Sequence, residues 1–204
     1  MPSNRTHIAT AALALALVAC SSPKPGTPEF VQKKEDEQQK TAVKAVEQAV
    51  ATIPSWVSQP PVSPDAWYEV GIGTSPDMQI AMDNATQAAQ SRLVFRLATR
   101  ASGLMKSAAI QTGSSGDPVV TQEIERVTKI IATEVNIAGF IPERNFPQQD
   151  GKNYKFFALI RLPLGEGNKV IADQVKKSAV LDGKIRTSEA WKQLEKEIEE
   201  AKKK

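Results

Sequence analysis

Residues 67–89, WYEVGIGTSPDMQIAMDNATQAA, constrain the fold of this chain more than any other stretch. Alternation over residues 67–73 predicts a strand with Tyr68, Val70 and Ile72 on one face and Trp67 and Glu69 on the other, Gly71 and Gly73 continuing that second face. Ser75-Pro76-Asp77 then marks a helix start: a capping oxygen, a proline at the first helical position and an acid in the first turn. A strand, a turn with two glycines and a helix is also how a dinucleotide-binding domain begins. That fingerprint needs a third glycine where Pro76 stands and an acidic residue after a second parallel strand, and the next long element here is another helix. Gly71, Gly73 and Pro76 are therefore read as turn and close-packing residues rather than a phosphate cradle: a face without side chains lets the helix or a neighbouring backbone approach.

The helix carries Met78, Met82, Ala85, Ala89, Leu93, Leu97, Ala101 and Leu104 at steps of three and four, which predicts its buried face. Arg92, Arg96 and Arg100 form a second stripe, read first as a solvated face with buried stems and second as a ligand or partner surface. After the loop QTGSSGD, Asp117-Pro118 starts a second helix with Val120, Ile124, Val127 and Ile131 on one side. AGFIPERNF predicts a strand with a bulge or an edge position at Pro142, and Asp150-Gly151 a tight turn. YKFFALIRLPL puts Tyr154, Phe156, Ala158, Ile160 and Leu162 on one face, with Phe157 and Leu159 also apolar, as a central strand covered on both faces requires. The expected fold is α+β: a small antiparallel β-sheet in β-α-α-β-β order, the last two strands a hairpin and the first paired to the third, with helices packed on one face. Flanking helices are expected before it (residues 30–52, charged, with Val43, Val46 and Val50 at helical spacing) and after it (NKVIADQVKKSAVL and SEAWKQLEKEIEEAKKK). The four prolines between Ile53 and Trp67 predict an extended segment that lays Trp56 and Trp67 against the domain.

The N-terminus sets the compartment. Arg5 and His7 precede the apolar run IATAALALALVA, which ends at Cys20. A basic start and an apolar stretch too short to span a bilayer, which takes about 20 residues, describe a secretory signal. LVAC matches the lipobox of bacterial lipoproteins, so Cys20 is expected to carry a covalent diacylglycerol and an N-acyl chain such as palmitate. The expected organisation is a signal peptide over 1–19, a lipidated tether, charged helix and Pro-rich segment over 20–66, a globular domain over 67–164 and a helical tail over 165–204. Loss of residues 1–19 removes His7, the one histidine, and commits Cys20, the one cysteine, to lipid. Histidine-dependent nucleophilic arrangements and the usual zinc ligands are then excluded. No other cofactor and no metal is expected, and the chain reads as a non-enzyme. Net charge is +3 with charges of both signs mixed along the chain, so nucleic acid is not an expected partner.

Taken together, Pro54-Ser55-Trp56, the run Val70-Gly71-Ile72-Gly73, the alanines Ala81, Ala85 and Ala88, and the tyrosine-led final strand resemble the bacterial twenty-kilodalton lipoprotein family, which includes flagellar outer-membrane lipoprotein P. The resemblance covers residues 54–164 together with the lipobox. It implies a non-enzymatic outer-membrane lipoprotein with a dodecin-like domain able to oligomerise, and an envelope role that extends in some members to the flagellum. The charged helix ahead of the domain and the longer tail depart from that pattern. The leading expectation is a structural, assembly or interaction component of the cell envelope, anchored to membrane lipid through Cys20 and partnered by further copies or by envelope proteins. The alternative is a periplasmic module binding cell-wall glycan (peptidoglycan) or a small envelope ligand, with Trp56, Trp67, Tyr68, Arg92, Arg96 and Arg100 as its contacts.

Overall fold

The computed structural model describes residues 25–133 and 139–203; Cys20, the signal sequence and the lipobox lie outside them. The chain divides into two units, 1–52 and 53–204. The first contributes one long helix, α1 (Pro28–Thr52), in which no residue is buried. Opposite charges three and four residues apart, such as Glu29 with Lys33 and Asp36 with Lys40, support such a solvated helix.

The second unit is built on a three-stranded antiparallel sheet of β1 (Ala66–Ser75), β2 (Ile141–Asp150) and β3 (Asn153–Pro163) in the order β1-β3-β2. The α+β architecture expected from the sequence is the one found, with β3 central, β1 paired to it and β2 joined to it as a hairpin. Gly151 turns that hairpin at φ +62° and no non-glycine residue there has positive φ, the pattern of a two-residue type II′ loop. Pro142 sits at a register shift in β2, which is an edge strand, where the missing N–H of a proline removes no ladder bond.

Helix α3 (Met78–Gln111) lies across β1 and β3. Its cap is Asp77, whose Oδ1 accepts from the N–H of Gln79 (2.8 Å) and Ile80 (3.1 Å). Ser75, expected as the cap, instead accepts from the N–H of Asp77 at 3.1 Å, so Pro76 precedes the cap and stands outside the helix. The buried row runs Ala81, Ala85, Ala89, Leu93, Leu97, Ala101, Met105 and Ala109. Met78 is exposed, and Met82 and Leu104 lie at the border. Steps of four advance about 40° around a helix with 3.6 residues per turn, so this row winds obliquely and its ends meet different neighbours. Ala81 and Ala85 meet Phe156 and Ala158 of β3, and Ala89 and Leu93 meet Ile160 and Leu162. From Leu97 onward the row faces helices.

Those helices are α4 (Pro118–Thr133), α5 (Leu164–Lys176), α6 (Ala179–Ile185) and α7 (Glu189–Ala201). Val120, Ile124, Val127 and Ile131 of α4 are buried as their spacing predicts. Ile171, Leu181, Ile185, Trp191 and Leu194 join them in one core with the second half of α3. Residues 165–203 therefore complete the domain, whereas the sequence placed its end at Leu164. The single helix read over NKVIADQVKKSAVL is two, because the Ser178 side chain accepts from the Leu181 N–H at 3.2 Å and starts α6 afresh.

The sheet face away from α3 carries Val70, Phe157 and Leu159, with Trp56 packed on them. Trp56 belongs to a single helical turn, α2 (Ser55–Ser58), within the stretch expected to be wholly extended. Ile53, Val57, Tyr68 and Phe146 pack around this cluster, while Ile72 on the same face stays exposed, so the cover here is partial where that of α3 is not.

The two glycines of β1 set the approach of α3. A Cβ on Gly71 would fall 1.8 Å from the Ala85 carbonyl oxygen, and one on Gly73 would fall 2.2 Å from that of Ala81. Both obstacles are helix backbone, which cannot rotate away. Gly71→Ala should cost about 3 kcal/mol, at the upper end of overpacking penalties. Gly103, inside α3 with open space where its Cβ would stand, is the matched control. Gly103→Ala should stabilise by about 0.5–1 kcal/mol through helix propensity. Urea unfolding of the two variants decides the matter, and equal shifts would show that Gly71 has no packing role.

Candidate functional site

The outer side of α3 and the free edge of β1 form an open groove of about 780 Å³ lined by Trp67, Glu69, Ser91, Arg92, Phe95, Arg96, Thr99 and Arg100. Four residues of helix rise about 6 Å. Arg92, Arg96 and Arg100 therefore stand in a row along its length, each one position before a buried residue of the core row (Leu93, Leu97, Ala101). That offset holds their stems at the helix–sheet border while their heads reach β1.

Each guanidinium meets a different partner. Arg92 Nη1 donates to the Val70 carbonyl oxygen at 2.6 Å. Alternate carbonyls of an edge strand point away from the sheet, and Arg92 satisfies one of them. Arg96 Nη1 lies 3.1 Å from Glu69 Oε1, and its guanidinium carbon is 5.1 Å from the centre of the Trp67 ring. Arg100 sits 5.6 Å from the same ring. Its Nε donates to Asn168 Oδ1 (3.2 Å) and its Nη2 to Glu197 Oε2 (2.7 Å), while Asn168 Nδ2 donates to the same carboxylate oxygen at 2.7 Å. The stripe first read as solvated is thus a set of tertiary contacts with exposed outer sides. Among the described residues Arg92 alone of the three has no carboxylate partner. Phe95, between Arg92 and Arg96, is 72 % exposed.

Of the six residues assigned to a ligand surface from the sequence, four come together here: Trp67, Arg92, Arg96 and Arg100. Trp56 and Tyr68 do not; they pack with Val70, Phe157 and Leu159 on the opposite face of the sheet. The period of two along β1 already separated Trp67 from Tyr68. Sequence reasoning missed Phe95, Asn168 and Glu197, although Phe95 carried a signal as an aromatic off the apolar face of α3. Among the described residues no cluster of histidine, cysteine, aspartate and glutamate has the form of a metal site, and no helix is long and apolar enough to cross a membrane.

Against protein-family models, curated proteins and solved structures the chain has no match, so the geometry carries the functional argument.

Asn168 is fully buried and joins α5 to both α3 and α7 through the Arg100–Glu197 pair. Asn168→Ala leaves that pair without its amide bridge. It should destabilise the domain by about 1–3 kcal/mol, the cost of unmaking buried bonds to charged groups. Thermal unfolding reads this, and an unchanged midpoint would show that the amide contributes no stability.

Elsewhere, Glu123 is held at about 2 against an ordinary 4.5, chiefly by Arg126 hydrogen bonds at 2.6 and 2.9 Å and next by one from Ser178. A carboxylate whose folded pKa is depressed contributes stability above its unfolded pKa and loses it as pH falls through the folded one. The contribution should therefore be intact above pH 4.5 and fade towards pH 2. Arg126 is exposed, which limits it to about 1 kcal/mol or less. Glu123→Gln should unfold more readily than the parent at pH 6, by a gap that narrows as the pH falls from 4.5 towards 2, in a urea titration series over that range. A gap of the same size at pH 2 as at pH 6 would sink the assignment.

Proposed function

We propose that the chain is an outer-membrane-anchored lipoprotein and a structural, assembly or interaction component of the cell envelope, of the kind found in the twenty-kilodalton lipoprotein family. The observation that carries this reading is α1, a 25-residue helix with no buried residue, whose place in the sequence is between the lipobox and the folded domain. At 1.5 Å per residue it is a rod of about 37 Å. A rod that begins at Pro28 and follows a stretch containing Pro23 and Pro25 suits a spacer between a lipid anchor at Cys20 and a domain that makes contacts elsewhere. Each buried acyl CH₂ contributes about 0.8 kcal/mol, so several chains on Cys20 would hold the protein firmly at the bilayer. The acidic and basic residues of α1 and the exposed Val43, Val46 and Val50 suit contacts with envelope proteins or with further copies. Association with the flagellum is one role such an assembly could take.

A second reading, a module that binds cell-wall glycan or a small envelope ligand, is favoured by the groove beside Trp67. In it the arginine row and Phe95, rather than Trp56 and Tyr68, supply the contacts.

Expression with a labelled palmitate precursor tests the anchor. The mature protein should begin at Cys20, carry label and sediment with membranes, whereas Cys20→Ala should be unlabelled and soluble. An unlabelled parent protein with residues 1–19 still attached would overturn the proposal. Crosslinking the detergent-solubilised parent tests the assembly role, which a strictly monomeric species without any envelope partner would refute.

A further inference from the structure

We infer that the groove between α3 and the edge of β1 is a binding site for a small ligand presenting one carboxylate or phosphate beside an apolar ring face. The inference rests on the binding-module reading and is independent of the anchor.

Charge comes first. Within the row, Glu197 takes Arg100 and Glu69 takes Arg96, leaving Arg92 with a neutral carbonyl as its one described partner. One positive charge is thus left over at the Arg92 end. Arg96 is itself half exposed and touches Glu69 through a single nitrogen. Its remaining donors are free to share an anion with Arg92, about 6 Å along the helix.

Pre-organisation follows. A flexible arginine loses rotamer freedom on gripping an anion. Here the Val70 carbonyl fixes the Arg92 head, and Glu69 and the Trp67 ring fix the Arg96 head. Planar guanidinium groups held in this way match a carboxylate or phosphate by paired N–H donors.

The third component is apolar. Phe95 lies on the same wall as Arg92 and Arg96, and no buried cluster includes it. An exposed phenyl on the same groove wall as two cations gives the ring of a ligand a surface when the anion of that ligand is held beside it. The hydroxyls of Ser91 and Thr99 at the groove wall donate to the Gln87 and Phe95 carbonyls of α3, at 2.9 Å each, and their oxygens keep the capacity to accept from ring substituents. A simple inorganic ion would use the arginines alone, whereas a sugar acid would use the arginines and Phe95 together.

The test reads tryptophan fluorescence of the full mature chain. Trp191 is buried and Trp56 nearly so, on the opposite face of the sheet, and Trp67 alone of the three lines the groove. The probes are N-acetylmuramic acid, which carries a carboxylate on a pyranose ring, N-acetylglucosamine, its uncharged counterpart, and inorganic phosphate. N-acetylmuramic acid should give a saturable change, with N-acetylglucosamine and phosphate each at least tenfold weaker. Arg92→Gln should weaken N-acetylmuramic acid at least tenfold and Phe95→Ala severalfold. Arg126→Gln, on α4, should leave binding unchanged. Phe95 is too exposed for its loss to unfold the domain, so that variant keeps the test interpretable if Arg92→Gln fails to fold. Equal response to the charged and uncharged sugars would overturn the anion inference while leaving the binding module standing. No saturable response to any of the three probes would overturn both.

Discussion

The structure depends on a contact between two backbones. Gly71 and Gly73 present bare strand to Ala85 and Ala81, and the helix sits where side chains would otherwise stand. This close approach holds only over the first half of α3. Further along, Leu93 replaces alanine and packs against Ile160 and Leu162, so the space between helix and sheet is filled by side chains rather than closed by backbone. From Leu97 the row leaves the sheet and enters the helical core. A single helix thereby joins a tight sheet interface to a helical one, and its small-to-large gradient follows from what it meets at each level.

The same contact decides what happens at the edge of the sheet. With α3 drawn against β1, the arginines one residue before each core position lie beside the strand, close enough for Arg92 to hydrogen-bond a main-chain oxygen at 2.6 Å. An unprotected edge strand is a template for uncontrolled pairing. The sheet blunts its two edges by different means: β2 carries Pro142, Pro147 and a register shift, whereas β1 has no proline and relies on the guanidinium of a neighbouring helix. Trp67 belongs to this arrangement too. Its ring packs at the border of both the helical core and the β3-facing cluster while its face receives Arg96 and Arg100.

Much of this was legible in the sequence because it is local. Alternation in β3, the one-faced stripe of α4, the glycines of β1 and the turn at Gly151 are periods and turn residues that need no distant partner. What escaped is long-range. Periodicity shows that residues 165–203 have an apolar face but not that α3 and α4 cover it, so a segment reading as a tail closes the core. The arginine stripe looked solvated because its partners stand far off in sequence: Val70 is 22 residues from Arg92, Asn168 is 68 and Glu197 is 97 from Arg100. The cap of α3 was misplaced by two residues because Ser75 and Asp77 are both good caps, and the strand reached Ser75 before the helix could begin.

The arginine row is a gradient rather than a uniform patch, and the gradient has a structural cause. Arg100 lies where α3 meets α5 and α7, so burial there demands a carboxylate and a buried amide to satisfy it. Arg96 lies over the sheet edge, where Glu69 suffices and water reaches the rest of the head. Arg92 lies opposite the bare-backbone contact, where β1 has glycines instead of side chains on the near face and an acidic partner has no position to occupy. The glycines that bring the helix close thus also deny Arg92 a counter-ion from that face. The strand offers a main-chain oxygen in its place, and a carbonyl supplies a hydrogen bond without neutralising the charge. The packing requirement at Gly71 and Gly73 and the uncompensated charge at Arg92 are two consequences of one close approach.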